Sequence, residues 1–244
     1  MVRALGGSLR RLKTDDIDLS WLHVWDMVTP VEEVLQTLGE LVRAGSIRYF
    51  GFSNTPAWYT TKAVTLAQVH HVPGPVAMQL EYSLVARTPE LEHVAAARDG
   101  GLRIVPRSPL AAGFLAGTYT RTGEGVRGHG RLSGPNPFDD TKFTGRNWTI
   151  LDARRVVADQ VGHSPTQVAL AWLAARPGVS SILVGASRAG QLQDSLASLT
   201  LTLSSDQLRT LDRVSGAAPV HPESMFSERL RRAVFGGSDV NGWP

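Results

Sequence analysis

Short apolar stretches alternate with amphipathic ones along most of this chain, and that alternation restricts its fold more than any single motif. Five stretches read as strands: Ile17 to Leu22, Ile47 to Gly51, Val76 to Gln79, Leu102 to Val105 and Ser181 to Val184. Helical patterns with apolar residues three and four apart lie between them. Strands separated by helices imply right-handed βαβ units and a parallel sheet. A closed (β/α)8 barrel needs eight such units. A doubly wound sheet also fits the alternation, although no Gly-x-Gly-x-x-Gly follows a strand. Periodicity alone leaves both open.

The helix boundaries carry their own chemistry. Val2, Leu5, Leu9 and Leu12 share one face of an opening helix, which Gly6 and Gly7 weaken. Thr29-Pro30-Val31-Glu32 reads as a capping box with proline in the first turn, and Gly45 ends that helix. Further helices are expected from Pro56 to about Val69, from Thr88-Pro89-Glu90 to Asp99, and from about Arg188. Ser164-Pro165-Thr166-Gln167 and Ser204-Ser205-Asp206-Gln207 are two more start signals, the second leading to Val214. Residues 117–146, rich in glycine and arginine and containing Pro135-Asn136-Pro137, lack periodicity and read as an irregular, lid-like loop. Residues 217–244 form a tail whose Trp243 is a candidate cap over a pocket.

Composition removes several function classes. The formal charge of +3 comes mainly from scattered arginines, so no basic stripe for nucleic acid is expected. With no cysteine, disulfides and thiolate metal sites are excluded, and no metal is expected. No apolar run has a membrane span's length, and no signal-peptide pattern opens the chain. A cytoplasmic protein without nucleic-acid or membrane partners is the expectation.

The residues at the predicted strand ends are unusual for mere packing. They are Leu22-His23-Val24-Trp25-Asp26, Gly51-Phe52-Ser53-Asn54, Gln79-Leu80-Glu81-Tyr82-Ser83, Pro106-Arg107-Ser108-Pro109-Leu110 and Gly185-Ala186-Ser187-Arg188. In this order they resemble the later strand ends of aldo/keto reductases, over roughly residues 3 to 214. Asp16-Ile17-Asp18-Leu19 to His23 is similar to that family's fourth strand. Gly51 to Asn54 resembles its Gly-x-Ser-Asn signature, and Gln79 to Ser83 its Gln-x-x-Tyr-Ser turn.

The resemblance implies an α/β fold of the (β/α)8 TIM-barrel type, here incomplete, with about five parallel strands and intervening helices. It implies one domain over 1–244, truncated at its N-terminal side. It also implies NADP(H), with NAD(H) second, and a small carbonyl substrate. His23 matches the histidine of the family's Asp-Tyr-Lys-His tetrad and would polarise the carbonyl. Ser53, Asn54 and Gln79 match positions that hold the nicotinamide carboxamide, for which amides supply donor and acceptor together. Ser108 and Leu110 lie in a loop whose backbone would face the pyrophosphate. Gly185, Ser187 and Arg188 precede a helix N-terminus, a natural anion site, and Arg188 suits a 2′-phosphate. Gln191 belongs to the same segment.

Two positions depart from the family pattern. Arg107 stands where many members carry an aromatic ring that stacks on the nicotinamide, although a guanidinium plane also stacks. Ser195 stands where an asparagine usually meets the adenine. The tetrad's Asp, Tyr and Lys match no position here, and without that proton donor catalysis loses roughly 10²–10⁴-fold. The chain is therefore expected to be an aldo/keto reductase-like oxidoreductase that is weak or inactive alone. A non-catalytic nicotinamide-nucleotide-binding or regulatory subunit is the alternative, as is an inactive gene remnant. Open sheet edges favour self-association or a partner that completes the barrel.

Overall fold

Residues 1–134, 142–238 and 240 are described by the computed structural model. Pro135-Asn136-Pro137 and Trp243, both singled out above, lie outside them. The elements follow the expected alternation: α1 (Val2–Leu12), β1 (Ile17–Leu22), α2 (Val31–Arg43), β2 (Ile47–Ser53), α3 (Ala57–His70), β3 (Ala77–Glu81), α4 (His93–Asp99) and β4 (Arg103–Arg107). A short hairpin, β5 (Thr120–Thr122) with β6 (Gly125–Arg127), comes next. Then follow α5 (Gly145–Val161), α6 (Pro165–Ala174), α7 (Ala189–Ala197), α8 (Ser205–Ser215) and α9 (Glu228–Val234).

β1 to β4 form one parallel sheet in sequential order. Successive side chains on a strand point to opposite faces. Phe50 and Phe52 of β2 pack among Val34, Leu35 and Leu38 of α2 and Tyr59 and Ala63 of α3. Met78, Leu80 and Ile104 enter a second cluster with Leu151, Trp172 and Leu211 from α5, α6 and α8. Alternation therefore sends Tyr49, Gly51, Ser53, Gln79, Glu81, Val105 and Arg107 to the other face. That face is partly open, with Tyr49 58% exposed.

The fifth strand expected over Ser181–Val184 is extended chain instead. It still docks beside β4: Ile104 N donates to Gly178 O at 2.8 Å, Ser180 N to Ile104 O at 3.0 Å and Leu183 N to Pro106 O at 2.9 Å. Leu183 and Val184 remain substantially exposed, and among the described residues nothing pairs along the segment's outer side to extend the ladder. The sheet of the described residues is thus four-stranded and not closed into a barrel.

Local chemistry explains the helix starts. Ser164 and Ser204 each form the complete capping box, with Gln167 and Gln207. The box expected at Thr29 does not form, because α2 starts at Val31 with Pro30 at its N-cap. The Thr29 hydroxyl donates to Asp26 at 2.5 Å instead. Thr88–Glu90 is a single 3-10 turn, and α4 starts only at His93. Glu90 turns back there to Arg87 and Tyr82. Within residues 117–146 the loop is not wholly irregular, since it contains the β5–β6 hairpin beside a buried Tyr119.

A polar cluster ties α8 to the turn after β3. Asp212 accepts from Arg87 Nη1 at 2.9 Å, Arg176 Nη1 at 3.0 Å and Trp172 Nε1 at 3.0 Å. Both guanidinium groups lie against the Trp172 ring, at 4.9 and 4.6 Å from its centroid.

Candidate functional site

Four strand ends converge on one polar patch. Ser53, the last residue of β2, is fully buried and pairs in register with Gln79 of β3. Asn54 follows with φ 49°, in the left-handed region that asparagine tolerates better than most residues. Its Nδ2 donates to His23 O at 2.8 Å and to Ser53 Oγ at 3.0 Å. Its Oδ1 accepts from Arg107 Nη2 at 3.0 Å and Nε at 3.3 Å. The backbone is joined as well, through Trp25 N and Asn54 O at 3.4 Å. His23 itself stands at the end of β1 with its side chain exposed.

Glu81 and Arg107 are register partners on β3 and β4, and their side chains meet at 3.5 Å. Lys142 arrives from the far end of the long loop and donates to Glu81 at 2.9 Å, its side chain only 11% exposed. Sequence reasoning missed both Glu81 and Lys142. Glu81 lay inside a recognised motif without a role, and no local pattern links residues 61 positions apart.

The loop after β4 and the segment leading into α7 enclose a cavity of about 360 Å³. Ser108, Leu110, Gly185, Gln191 and Ser195, all expected to meet the cofactor, line it. Thr118, Arg131, Thr166 and Asp194 line it too and were not foreseen. Ser108, Ala111, Ala112 and Gly113 have φ of 52°, 49°, 56° and 93°. Non-glycine residues held there cost energy and concentrate at functional sites. Ser187 donates from N and Oγ to Gln191 Oε1 at 3.0 and 3.1 Å. Asp194 accepts from Gln167 Nε2 at 2.7 Å.

Arg188 is placed differently from the rest. It is the N-cap of α7, without a side-chain cap bond, and it is exposed and off the cavity wall. The cavity's own cation is Arg131. Above the strand ends, Asp26 accepts from the Thr29 hydroxyl and from the N–H groups of Thr29 and Val28. These bonds hold its carboxyl down at about 2. Among the described residues, no cluster of three or more His, Asp or Glu side chains is arranged to hold a metal ion.

The family model described as aldo/keto reductase family matches residues 1–215. An uncharacterised oxidoreductase of Bacillus subtilis, YrpG, is 32% identical over 219 residues, which cover 87% of this chain and 62% of that protein. Protein tas of Escherichia coli is 32% identical over 229 residues, covering 86% of this chain and 65% of its own length. A probable voltage-gated potassium channel subunit beta of Arabidopsis thaliana is 30% identical over 240 residues, covering 92% and 69%. The chain thus spans less than two thirds of the length of the first two relatives.

Proposed function

The chain belongs to the aldo/keto reductase family, and on that footing we propose that it is a cytoplasmic oxidoreductase module that binds NADP(H) for the interconversion of small carbonyl compounds and alcohols. The convergence of Ser53, Asn54, Gln79 and Arg107 as one group, and the cavity after β4 as a second, carries this reading. The first group offers donors and acceptors of the kind a carboxamide needs. The second joins a cation, Arg131, to the N-terminus of α7, which has no side-chain cap. That pairing fits a phosphate-bearing ligand, since a cation and the positive end of the helix dipole both favour anions. At about 360 Å³ the cavity lies within the range of small-molecule sites.

Ser108, Leu110, Arg131, Gly185 and Gln191 would hold the phosphate and adenosine portions, with Asp194 and Ser195 further along the wall. Arg188, exposed at the N-cap of α7, would meet a 2′-phosphate. When bound, the cofactor supplies a hydride to the substrate's carbonyl carbon. His23 would hydrogen-bond the carbonyl oxygen and stabilise the charge that grows on it. Within the loop, Arg131 would cover the cavity as part of its wall. Tyr82 donates its hydroxyl to Glu90, while Lys62 and Lys142 engage Glu32 and Glu81, so these groups are occupied elsewhere. We therefore read residues 1–244 alone as binding cofactor with weak turnover.

Titration with NADPH, followed by energy transfer from the tryptophans, tests this. Saturable binding that weakens in Asn54→Ala supports the reading, and no saturation up to millimolar NADPH sinks it. A second reading, a nucleotide-binding regulatory subunit, is favoured by the similarity to potassium channel beta subunits. Tight binding without reduction of any aldehyde in a broad panel would select it. Either way, the outer side of β1 has no strand partner among the described residues and would take a completing segment or a second copy.

A further inference from the structure

Every hydrogen-bonding position of the Asn54 amide is in use. A side-chain amide has two N–H donors and one oxygen with two lone pairs. Here the donors go to His23 O and Ser53 Oγ, and the oxygen receives both Nη2 and Nε of Arg107. Nothing is left for a ligand while Arg107 stays where it is. Arg107 presents to Asn54 Oδ1 the kind of N–H donor that a carboxamide would bring. It also has a second partner waiting: Glu81, its register neighbour, lies 3.5 Å away, near enough for charge attraction but beyond a tight hydrogen bond. Lys142 holds the other carboxylate oxygen of Glu81 at 2.9 Å and so competes with Arg107 for that charge.

Resting on the cofactor reading above, we propose that Arg107 is a movable placeholder for the nicotinamide carboxamide. It occupies Asn54 in the free chain and transfers to Glu81 when the carboxamide arrives, and Lys142 sets how readily it goes. The exchange conserves hydrogen bonds. Asn54 Oδ1 trades the guanidinium for the carboxamide N–H, and the guanidinium gains a charge-assisted bond to the carboxylate. Lys142, just before α5, and Arg107, on β4, thus share one carboxylate.

The two halves of the Glu81–Lys142 pair then act in opposite directions, which a merely structural ion pair does not do. Glu81→Gln removes the destination of Arg107 and weakens NADPH binding about tenfold, equivalent to about 1.4 kcal/mol. Lys142→Met leaves Glu81 to Arg107 alone, frees Asn54, and tightens NADPH binding by a similar factor. Lys142→Gln serves the same purpose if the methionine variant does not fold, and circular dichroism checks each fold. Neither change alters the affinity for 2′-phospho-ADP-ribose, which lacks the nicotinamide.

Shifts of the same sign in both variants, or equal shifts for both ligands, overturn the proposal. A further measurement needs no cofactor. In the ligand-free chain labelled with ¹⁵N-arginine, the Arg107 Nε–H resonance, assigned by its loss in Arg107→Lys, should move oppositely in the two variants. An unmoved resonance overturns the proposal. If the unaltered chain binds neither nucleotide, the cofactor reading falls, and this resonance alone decides whether Arg107 exchanges partners.

Discussion

The indole of Trp21 lies across Gly51 on the adjacent strand, so closely that a Cβ there would sit 2.8 Å from Trp21 Cε3 and 2.8 Å from the carbonyl oxygen of Ala77. The two residues are register partners. Glycine is required here by contact and not by φ. Gly51→Ala is expected to cost about 1–3 kcal/mol through overpacking. Denaturant midpoints would show it, and adding Trp21→Leu should recover part of the loss. Equal stability of the single variant and the unaltered chain would contradict this packing.

Arg154 is fully buried in α5, and among the described residues none of its three side-chain nitrogens has a hydrogen-bond partner. Burial pushes its guanidinium down to about 10, still charged at neutral pH. A buried cation without a partner is a cost with no offsetting gain. Arg154→Met should therefore stabilise the chain, by about 1–3 kcal/mol on the scale of an unsatisfied polar group. A lower denaturant midpoint in Arg154→Met would refute it.

Asp212 balances two guanidinium groups at Trp172. Asp212→Ala leaves Arg176 without its carboxylate beside the Trp172 ring, and Arg87, itself buried, with Glu90 and Ser215 as its remaining partners. About 3 kcal/mol is expected, at the lower end of the range for breaking a buried pair because Asp212 is 34% exposed. Thermal unfolding of the variant checks this, and a loss below the noise would show that the cluster is dispensable.

The Asp26 carboxyl titrates at about 2 instead of its ordinary 3.8 because Thr29 and Val28 bond its charged form. A depressed folded-state value stabilises above the unfolded one and is lost as pH falls through the folded one. The advantage of the native chain over Asp26→Ala should thus be full above about pH 4 and vanish towards pH 2. An acid-unfolding series of both proteins measures it. A gap that persists unchanged to pH 2 would mean another origin.

Arg131 and Arg188 should separate two parts of the proposed ligand. Arg131→Ala is expected to weaken NADPH and NADH alike, by about tenfold each. Arg188→Ala should weaken NADPH alone, because only that cofactor brings a 2′-phosphate. Competition titrations distinguish them, and an Arg188→Ala effect on NADH would count against its assignment.

Periodicity made β1 to β4 and their helices legible, because each buries one face against the next. The same reading over-reached at Ser181–Val184, where residues with strand character lack a neighbour on the outer side. It misplaced the start of α2 because Asp26, three residues earlier, claims the Thr29 hydroxyl. At the site, the family resemblance singles out Ser53, Asn54, Gln79 and Arg107, and the strand ends bring these four together. Lys142 and Arg131 were not legible, because a loop of no fixed period delivers them. Arg154 sits between Leu151 and Val157 at helical spacing on an apolar stripe, a position that sequence alone assigns to an aliphatic residue.

In the sequential sheet order, each strand pairs with the one synthesised just before it, as in Ile17 with Ile47 and Ala77 with Arg103. Contacts of such short range form early and at small entropic cost. The tie from Arg87 to Asp212 spans 125 residues by contrast. Assembly is therefore expected in two stages, with the sheet and its first helices consolidating on the nascent chain and the C-terminal helices docking last. Asp212→Ala would then accelerate unfolding while leaving the refolding rate nearly unchanged, and a chevron plot reads this directly.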